Sequence, residues 1–227
     1  MGTPTVPPLE PGDHLGRAEF ERRYEAMPGL KKAELIEGVV FVPSPVRVDH
    51  HGSPHADLIT WLGVYRAATP GVRVADNTTI RLDMDNEPQP DALMFIEPAR
   101  GGQARIDADG YIKGGPELVA EVAASSASID LNSKLRVYRD NGVREYIVWR
   151  VLDGVIDWFV LRQGQYAALS AVAGVYRSET FPGLWLNPDA LTRFDLAAAL
   201  QGLQQGLASA EHAAFAARLP QPGAGPG

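Results

Sequence analysis

The apolar residues of this chain switch between a helical and a strand-like period, and the switches mark out its elements. Phe20 and Tyr24 recur four apart among charges, predicting a short helix over 17–26 that stops before Pro28 and Gly29. Over 33–42 the run becomes β-rich, bends at Gly38 and ends at Pro43. Helical spacing returns over 55–68, with Leu58, Leu62 and Tyr65 on one face and Pro54 near the start. Strands are predicted over 79–82 and 91–96, around the loop 83–90. A loop containing Gly101, Gly102, Gly114 and Gly115 then leads to an apolar strand over 118–122. Leu131, Leu135 and Tyr138 form one stripe of a helix over 129–140, with Asn141 and Gly142 as its C-terminal signal. Runs rich in Val, Ile, Trp and Tyr over 144–151, 155–162 and 165–170 read as a meander, divided at Asp153-Gly154 and Gly164. The Ala- and Leu-rich stretch 194–219 reads as a C-terminal helix or helix pair. The fold class is therefore α/β (α+β): a mixed β-sheet core flanked by helices, followed by a C-terminal meander and helix.

At 227 residues with no long polar linker, one domain over 15–219 is expected, with loosely ordered Pro- and Gly-rich tails at 1–14 and 220–227. The chain has no cysteine, which excludes a disulfide framework, a thiolate zinc site and a cysteine nucleophile, and fits a cytoplasmic location. No stretch approaches the roughly 18 apolar residues of a membrane span, so no membrane partner is expected. The formal net charge of −7 counts against strong non-specific binding to nucleic acid, where Lys and Arg supply most of the affinity. A local basic rim can coexist with an acidic whole, and Arg47, Arg81, Lys113 and Arg136 are the candidates for one.

Four charged residues carry the candidate chemistry: Glu34, Asp91, Glu121 and Lys134. Glu121 lies inside the apolar run 118–122, where an unpaired carboxylate costs several kcal/mol to desolvate. It needs a partner. A divalent cation shared with Asp91 is the simplest one, and an ion pair with Lys134 or an arginine is the structural alternative. Asp91 alone, after Pro90, would be an ordinary turn residue, and Lys134 alone a solvated helix residue. Of the two acids on the first β-run, Glu34 and Glu37, strand alternation lets only one face a common site.

These residues stand in Glu34-Leu35-Ile36-Glu37-Gly38, Pro88-Gln89-Pro90-Asp91, Glu117-Leu118-Val119-Ala120-Glu121-Val122, the segment from Asp130 to Lys134, and Tyr138 with Gly142-Val143-Arg144-Glu145-Tyr146. In that order, over about 17–160, the set resembles the PD-(D/E)XK nuclease superfamily, and more closely its Uma-type restriction endonuclease branch. The resemblance implies a restriction-endonuclease-like fold and an endonuclease hydrolysing phosphodiesters of duplex DNA as a homodimer. It implies Glu34, Asp91, Glu121 and Lys134 as catalytic residues, with Asp91 and Glu121 holding Mg²⁺, for which Mn²⁺ could substitute. The chain departs from the superfamily's pattern at Ala123, where the motif expects lysine, and the resemblance moves that lysine to Lys134. Two other readings stay open: a catalytically silent member acting as a binding or assembly module, and a metal-dependent phosphodiesterase acting on RNA or nucleotides.

Other chemistry is weaker. His51 and His55 are not expected to form a helical i, i+4 pair across Gly52-Ser53-Pro54, and nothing supports zinc. The resemblance places one histidine at the start of the helix near the cleft, and His55 fits that spacing best. Ser125, Ser126 and Ser128 lack a nucleophile motif and read as the loop and N-cap before the helix. Trp149, Trp158 and Trp185 read as sheet aromatics rather than a base-stacking platform.

Overall fold

The structure, a computed structural model, describes residues 6–43 and 47–219. The elements in chain order are α1 (Arg17–Glu25), β1 (Glu34–Ile36), β2 (Val39–Phe41), and a π-helical turn over Val48–Gly52 that runs directly into α2 (Ser53–Ala68). Six strands follow: β3 (Val72–Asp76), β4 (Ile80–Arg81), β5 (Ala92–Ile96), β6 (Arg105–Ile106), β7 (Ile112–Lys113) and β8 (Leu118–Ala123). One helical segment comes next, made of α3 (Ala127–Ile129), a second π-helical turn over Asp130–Lys134, and α4 (Leu135–Asp140). The remainder is β9 (Glu145–Arg150), β10 (Val155–Arg162), β11 (Gln165–Ala168), β12 (Tyr176–Arg177), β13 (Trp185–Leu186), α5 (Pro188–Thr192), α6 (Leu196–Leu207) and α7 (Ala210–Arg218).

The main sheet has the order β11-β10-β9-β8-β5-β3, with β8 and β9 parallel and every other neighbour antiparallel. This is the expected mixed sheet, and β9 to β11 form the expected meander. The crossover between the parallel pair is the α3–α4 segment, as a parallel connection requires. Strand β8 is buried on both faces, which is why its sequence reads as an apolar run rather than an alternation. Leu118, Ala120 and Val122 face α2 and the C-terminal helices, packing with Trp61, Tyr65, Trp158 and Leu203. Val119 and Ala123 face the other way, into a cluster with Leu93, Phe95, Tyr138, Tyr146 and Leu135. Glu121 lies between them in the strand and so shares that second face.

Several expectations need correction. Strand β3, an edge of the main sheet, is absent from the sequence reading, because Arg73 breaks the apolar signal and only Val72 of the strand is fully buried. The 79–82 run supplies only Ile80 and Arg81. These pair with β7 in a small three-stranded sheet built largely from the segment expected to be a loop. The helix expected from His55 starts at Ser53. The C-terminal helix pair is present as α6 and α7, preceded by α5 and the β12–β13 ribbon.

Residues 9–14, expected within a loosely ordered tail over 1–14, are instead held against the first hairpin. Leu9 is buried with Phe20, Leu35 and Val40, and Gly12 N donates to Val40 O at 2.9 Å. Residues 1–5 and the tail at 220–227 lie outside the described residues. The β1–β2 hairpin is fastened to the 84–87 stretch through reciprocal Leu35 and Glu87 backbone bonds and Gly38 N to Asp85 O. That attachment carries Glu34 to the main sheet.

Arg81, expected on a basic rim, is bound by acids instead. It reaches Glu21 at 2.9 Å, Asp107 at 2.9 Å and Asp109 at 2.7 Å, and its guanidinium stacks over Tyr111. Beside this cluster, burial and then the neighbouring Glu21 carboxyl push Glu87 up to about 8, against the pull of Arg81 and Arg17. A raised folded-state pKa means the native protein holds this proton where the unfolded chain has lost it. Stability is therefore expected to fall as pH rises from about 4.5 to about 8. Urea midpoints measured across that window should slope less for Glu87→Gln than for the parent protein, and identical slopes would clear Glu87 of any part.

Candidate active site

The site lies where β5 ends against β8. Pro88 and Pro90 stop the strand before Asp91, so on its β5 side β8 has no strand partner beyond the Ala92–Ala120 pair, while β9 continues along its other side. The backbone of buried Val122 on that side is satisfied by side chains instead: its N–H donates to Asp91 Oδ2 at 2.8 Å, and its carbonyl oxygen lies 3.1 Å from His51 Nδ1. The β5–β8 register, continued by one residue, sets Asp91 opposite Glu121. Asp91 N makes a long contact of 3.4 Å to Glu121 Oε2. Asp91 and Glu121 are 5% and 3% exposed, so both carboxyl groups lie almost out of water.

Lys134 enters from the π-helical turn, a wide turn of a kind that gathers at functional sites. Its Nζ lies 2.9 Å from Glu121 Oε1 and 2.9 Å from Glu34 Oε1, with Asp130 Oδ1 at 3.7 Å. Glu34 Oε1 also accepts from Gln89 N at 2.7 Å, and Glu121 Oε1 from the Tyr138 hydroxyl at 3.0 Å. The four residues singled out from sequence are thus brought together. Lys134 comes to Glu121 from the helical segment while Ala123 stays within the adjoining apolar cluster. Glu37 is outside. It sits in the β1–β2 turn with φ of +52° and forms a two-pronged pair with Arg136, both bonds 2.9 Å. A turn, rather than strand alternation, separates the two acids, and Arg136 is neutralised there instead of joining a basic rim.

Burial pushes the Glu121 carboxyl up to about 8; Lys134 pulls it down, while Asp130, Asp91 and Glu34 add to the rise. Burial also opposes the Lys134 charge, but Glu121, Glu34 and Asp130 outweigh it and hold its pKa well above the usual lysine value. Lys134 is therefore a fixed cation at neutral pH, suited to hold negative charge and not to accept a proton.

Four further residues belong to the site. Asp130 and Tyr138 lie four residues on either side of Lys134, a spacing that could have flagged both. Lys32 Nζ is 3.6 Å from Asp91 Oδ1. His51 Nε2 is 3.5 Å from the same oxygen, and its ring stacks on His55, whose Nε2 lies 2.9 Å from the Asp91 carbonyl and 3.0 Å from Asp76 Oδ1. The expectation that His51 and His55 would not pair is thus overturned, because the π-helical turn absorbs Gly52 and keeps both rings on one side. His51, not His55, reaches the carboxylate. Ser126 does take the N-cap position before α3, though its hydroxyl makes no capping bond.

Other buried acids are structural. Glu117 accepts from Ile96 N and Gln103 N, and Glu145 accepts from Ser178, Thr180 N and Trp158 Nε1. Trp149 and Trp158 are buried in the sheet, as expected.

The sequence from residue 17 to residue 189 matches the family model Uma2, described as "Putative restriction endonuclease". The chain belongs to the Uma2 family. Its Uma2 core is similar to the crystal structure of a "putative nuclease belonging to DUF820" from Anabaena variabilis ATCC 29413. The two share a TM-score of 0.54 and 12% identity, over 82% of this chain and 97% of that one. At that identity the likeness concerns the fold. No curated protein matches the chain. The Uma2 match runs from α1 to the start of α5, and so takes in every site residue named above. No helix among the described residues is long and apolar enough to cross a membrane.

Proposed function

We propose that this Uma2 protein is a divalent-cation-dependent endonuclease that hydrolyses phosphodiester bonds of duplex DNA. The observation that carries the reading is the meeting of Asp91 and Glu121 at a strand end with Lys134 already seated on Glu121. Glu34, Glu121 and Asp130 gather around the buried Lys134 ammonium, and Asp91 lies beside Glu121 with Lys32 at 3.6 Å, so the acids outnumber the cations and a bound cation would favour their ionised forms. Among the described residues no three His, Asp or Glu side chains form a ready-made metal cage. Mg²⁺ needs no such cage, since it binds through one or two carboxylates and keeps waters and substrate phosphate for the rest of its shell. Asp91 and Glu121 would hold it. His51 donates Nδ1–H to Val122 O and so leaves Nε2 facing Asp91 Oδ1 as a nearby nitrogen donor.

A divalent cation there supplies positive charge to the phosphate and lowers the pKa of water. Lys134, permanently charged, would hold the negative oxygen of the attacking or departing group, and Glu34 fixes its direction through the 2.9 Å contact. Tyr138 helps to orient Glu121 by donating to Oε1, the oxygen that Lys134 also holds. A homodimer with two-fold symmetry would present two such sites to the two strands.

The silent-module reading is favoured by one feature: Arg81 and Arg136, two of the four cations expected to form a basic rim, are held by acids of the chain itself. The test is a substrate panel of duplex DNA, single-stranded DNA, RNA and dinucleotides, run with Mg²⁺, Mn²⁺, Ca²⁺ and EDTA. Cleavage of duplex DNA with Mg²⁺ or Mn²⁺ and none in EDTA is expected. Cleavage confined to RNA or dinucleotides would move the substrate class, and binding in Ca²⁺ without turnover under any cation would favour the module.

A further inference from the structure

Asp130 is an anomaly. It is 1% exposed, and neither carboxylate oxygen has a hydrogen-bond partner among the described residues. The Ser126 hydroxyl is near enough to lower its pKa, yet lies outside hydrogen-bond geometry. Its nearest cation, Lys134 Nζ, stands off at 3.7 Å, drawn away by Glu121 and Glu34 at 2.9 Å each. The main chain at Asp130 is fixed, since its carbonyl accepts from the buried Tyr146 hydroxyl at 3.1 Å. A buried carboxylate with no donor is costly; burial pushes the Asp130 carboxyl toward its protonated form, and a donor that came to it in another state would let it ionise.

The donor is one residue-turn away. A cation shared by Asp91 and Glu121 would compete with the Lys134 ammonium for Glu121, because both draw on the same carboxylate charge. A shift of under about 1 Å, the difference between the present separation and the usual charge-assisted length, would bring Nζ into a hydrogen bond with Asp130. We propose that Asp130 is the positioning residue that takes over Lys134 when the metal takes Glu121, so that Lys134 has two seats, Glu121 without metal and Asp130 with it. This rests on the cation reading above. Glu34 stays bonded in both states and acts as the pivot. The lysine thereby keeps its charge and its place in the site while Glu121 is freed for the cation.

Two measurements test the two seats. First, Mn²⁺ affinity is read from the signal of free Mn²⁺ in electron paramagnetic resonance for the wild type, Asp130→Asn, Lys134→Met and the double variant, with melting temperatures as the check on folding. Asp130→Asn should weaken Mn²⁺ binding about tenfold when Lys134 is present, within the range for coupled neighbours, and less than about twofold in the Lys134→Met background. Equal losses in both backgrounds would mean that Asp130 acts on the cation directly, and no loss in either would mean a purely structural role; each overturns the proposal. Second, because Lys134→Met could fail to fold, a crystal structure of the wild type soaked in Mn²⁺ gives an independent reading. Lys134 Nζ within hydrogen-bond distance of Asp130 is expected, and Nζ still seated on Glu121 beside a bound cation refutes the exchange. A wild type that binds no Mn²⁺ at all would instead sink the underlying cation reading.

Discussion

Lys134→Ala is expected to abolish cleavage and, in the absence of metal, to cost about 3–5 kcal/mol of stability, the usual penalty for removing one partner of a buried ion pair. A solvated helix lysine, as Lys134 alone would read from sequence, could be removed with folding intact. The geometry argues otherwise, because Nζ is the charge partner of both Glu34 and Glu121, and these acids are 6% and 3% exposed. Without the ammonium, either proton uptake or a cation must neutralise them. Urea denaturation in EDTA should therefore show the full loss, and added Mg²⁺ should recover part of it by binding only the folded state. A variant that cuts DNA at the parental rate would remove Lys134 from the mechanism, and one as stable as the parent in EDTA would contradict the buried-pair account.

The second large effect is expected from Asp91→Asn. Here structure and chemistry separate cleanly. The asparagine carbonyl oxygen can still accept the Val122 N–H that Asp91 Oδ2 holds at 2.8 Å, so the end of β8 stays capped and the melting temperature should change little. The charge that would bind the cation is gone. Metal-derived stabilisation of a phosphoryl transition state is worth several kcal/mol, so a loss of roughly 10³-fold in cleavage rate is expected, equivalent to about 4 kcal/mol. Single-turnover rates under saturating Mg²⁺ would decide it. Retention of more than about a tenth of the parental rate would place the cation elsewhere, whereas a collapse in melting temperature would show that the carboxylate serves mainly as a backbone cap.

The pH response of the site follows the same charges. Glu87, four residues before Asp91 but facing Arg17 and Arg81, carries a raised pKa for the same reason as Glu121: burial outweighs the cations near it. The fold thus places titrating carboxyls in both its N-terminal hairpin contact and its site. Glu87→Gln isolates the first without touching the second.

Sequence alone determined a good deal here. The two-sided burial of β8 was legible because a strand covered on both faces must be apolar throughout, and a lone acid inside such a run has to be paired or metal-bound. The meander, α1, the β1–β2 hairpin and the C-terminal helix pair were legible from period and turn chemistry, which act over a few residues. Four charged residues scattered over a hundred positions could be named from their order and their resemblance to a family. What the sequence left open depended on contacts between distant segments. Strand β3 exists because β5 offers it an edge, although Arg73 hides it in the one-dimensional pattern. His51 reaches Asp91 only because a π-helical turn carries it past Gly52 and Pro54, a conformation no local propensity favours. Arg81 and Arg136 looked available as a rim until folding set Glu21, Asp107, Asp109 and Glu37 beside them. Local periodicity records which side of an element is buried. Which charge meets which is decided only when separate elements pack, and at this site that decision fixes Lys134 on Glu121 and leaves Asp130 without a hydrogen-bond donor among the described residues.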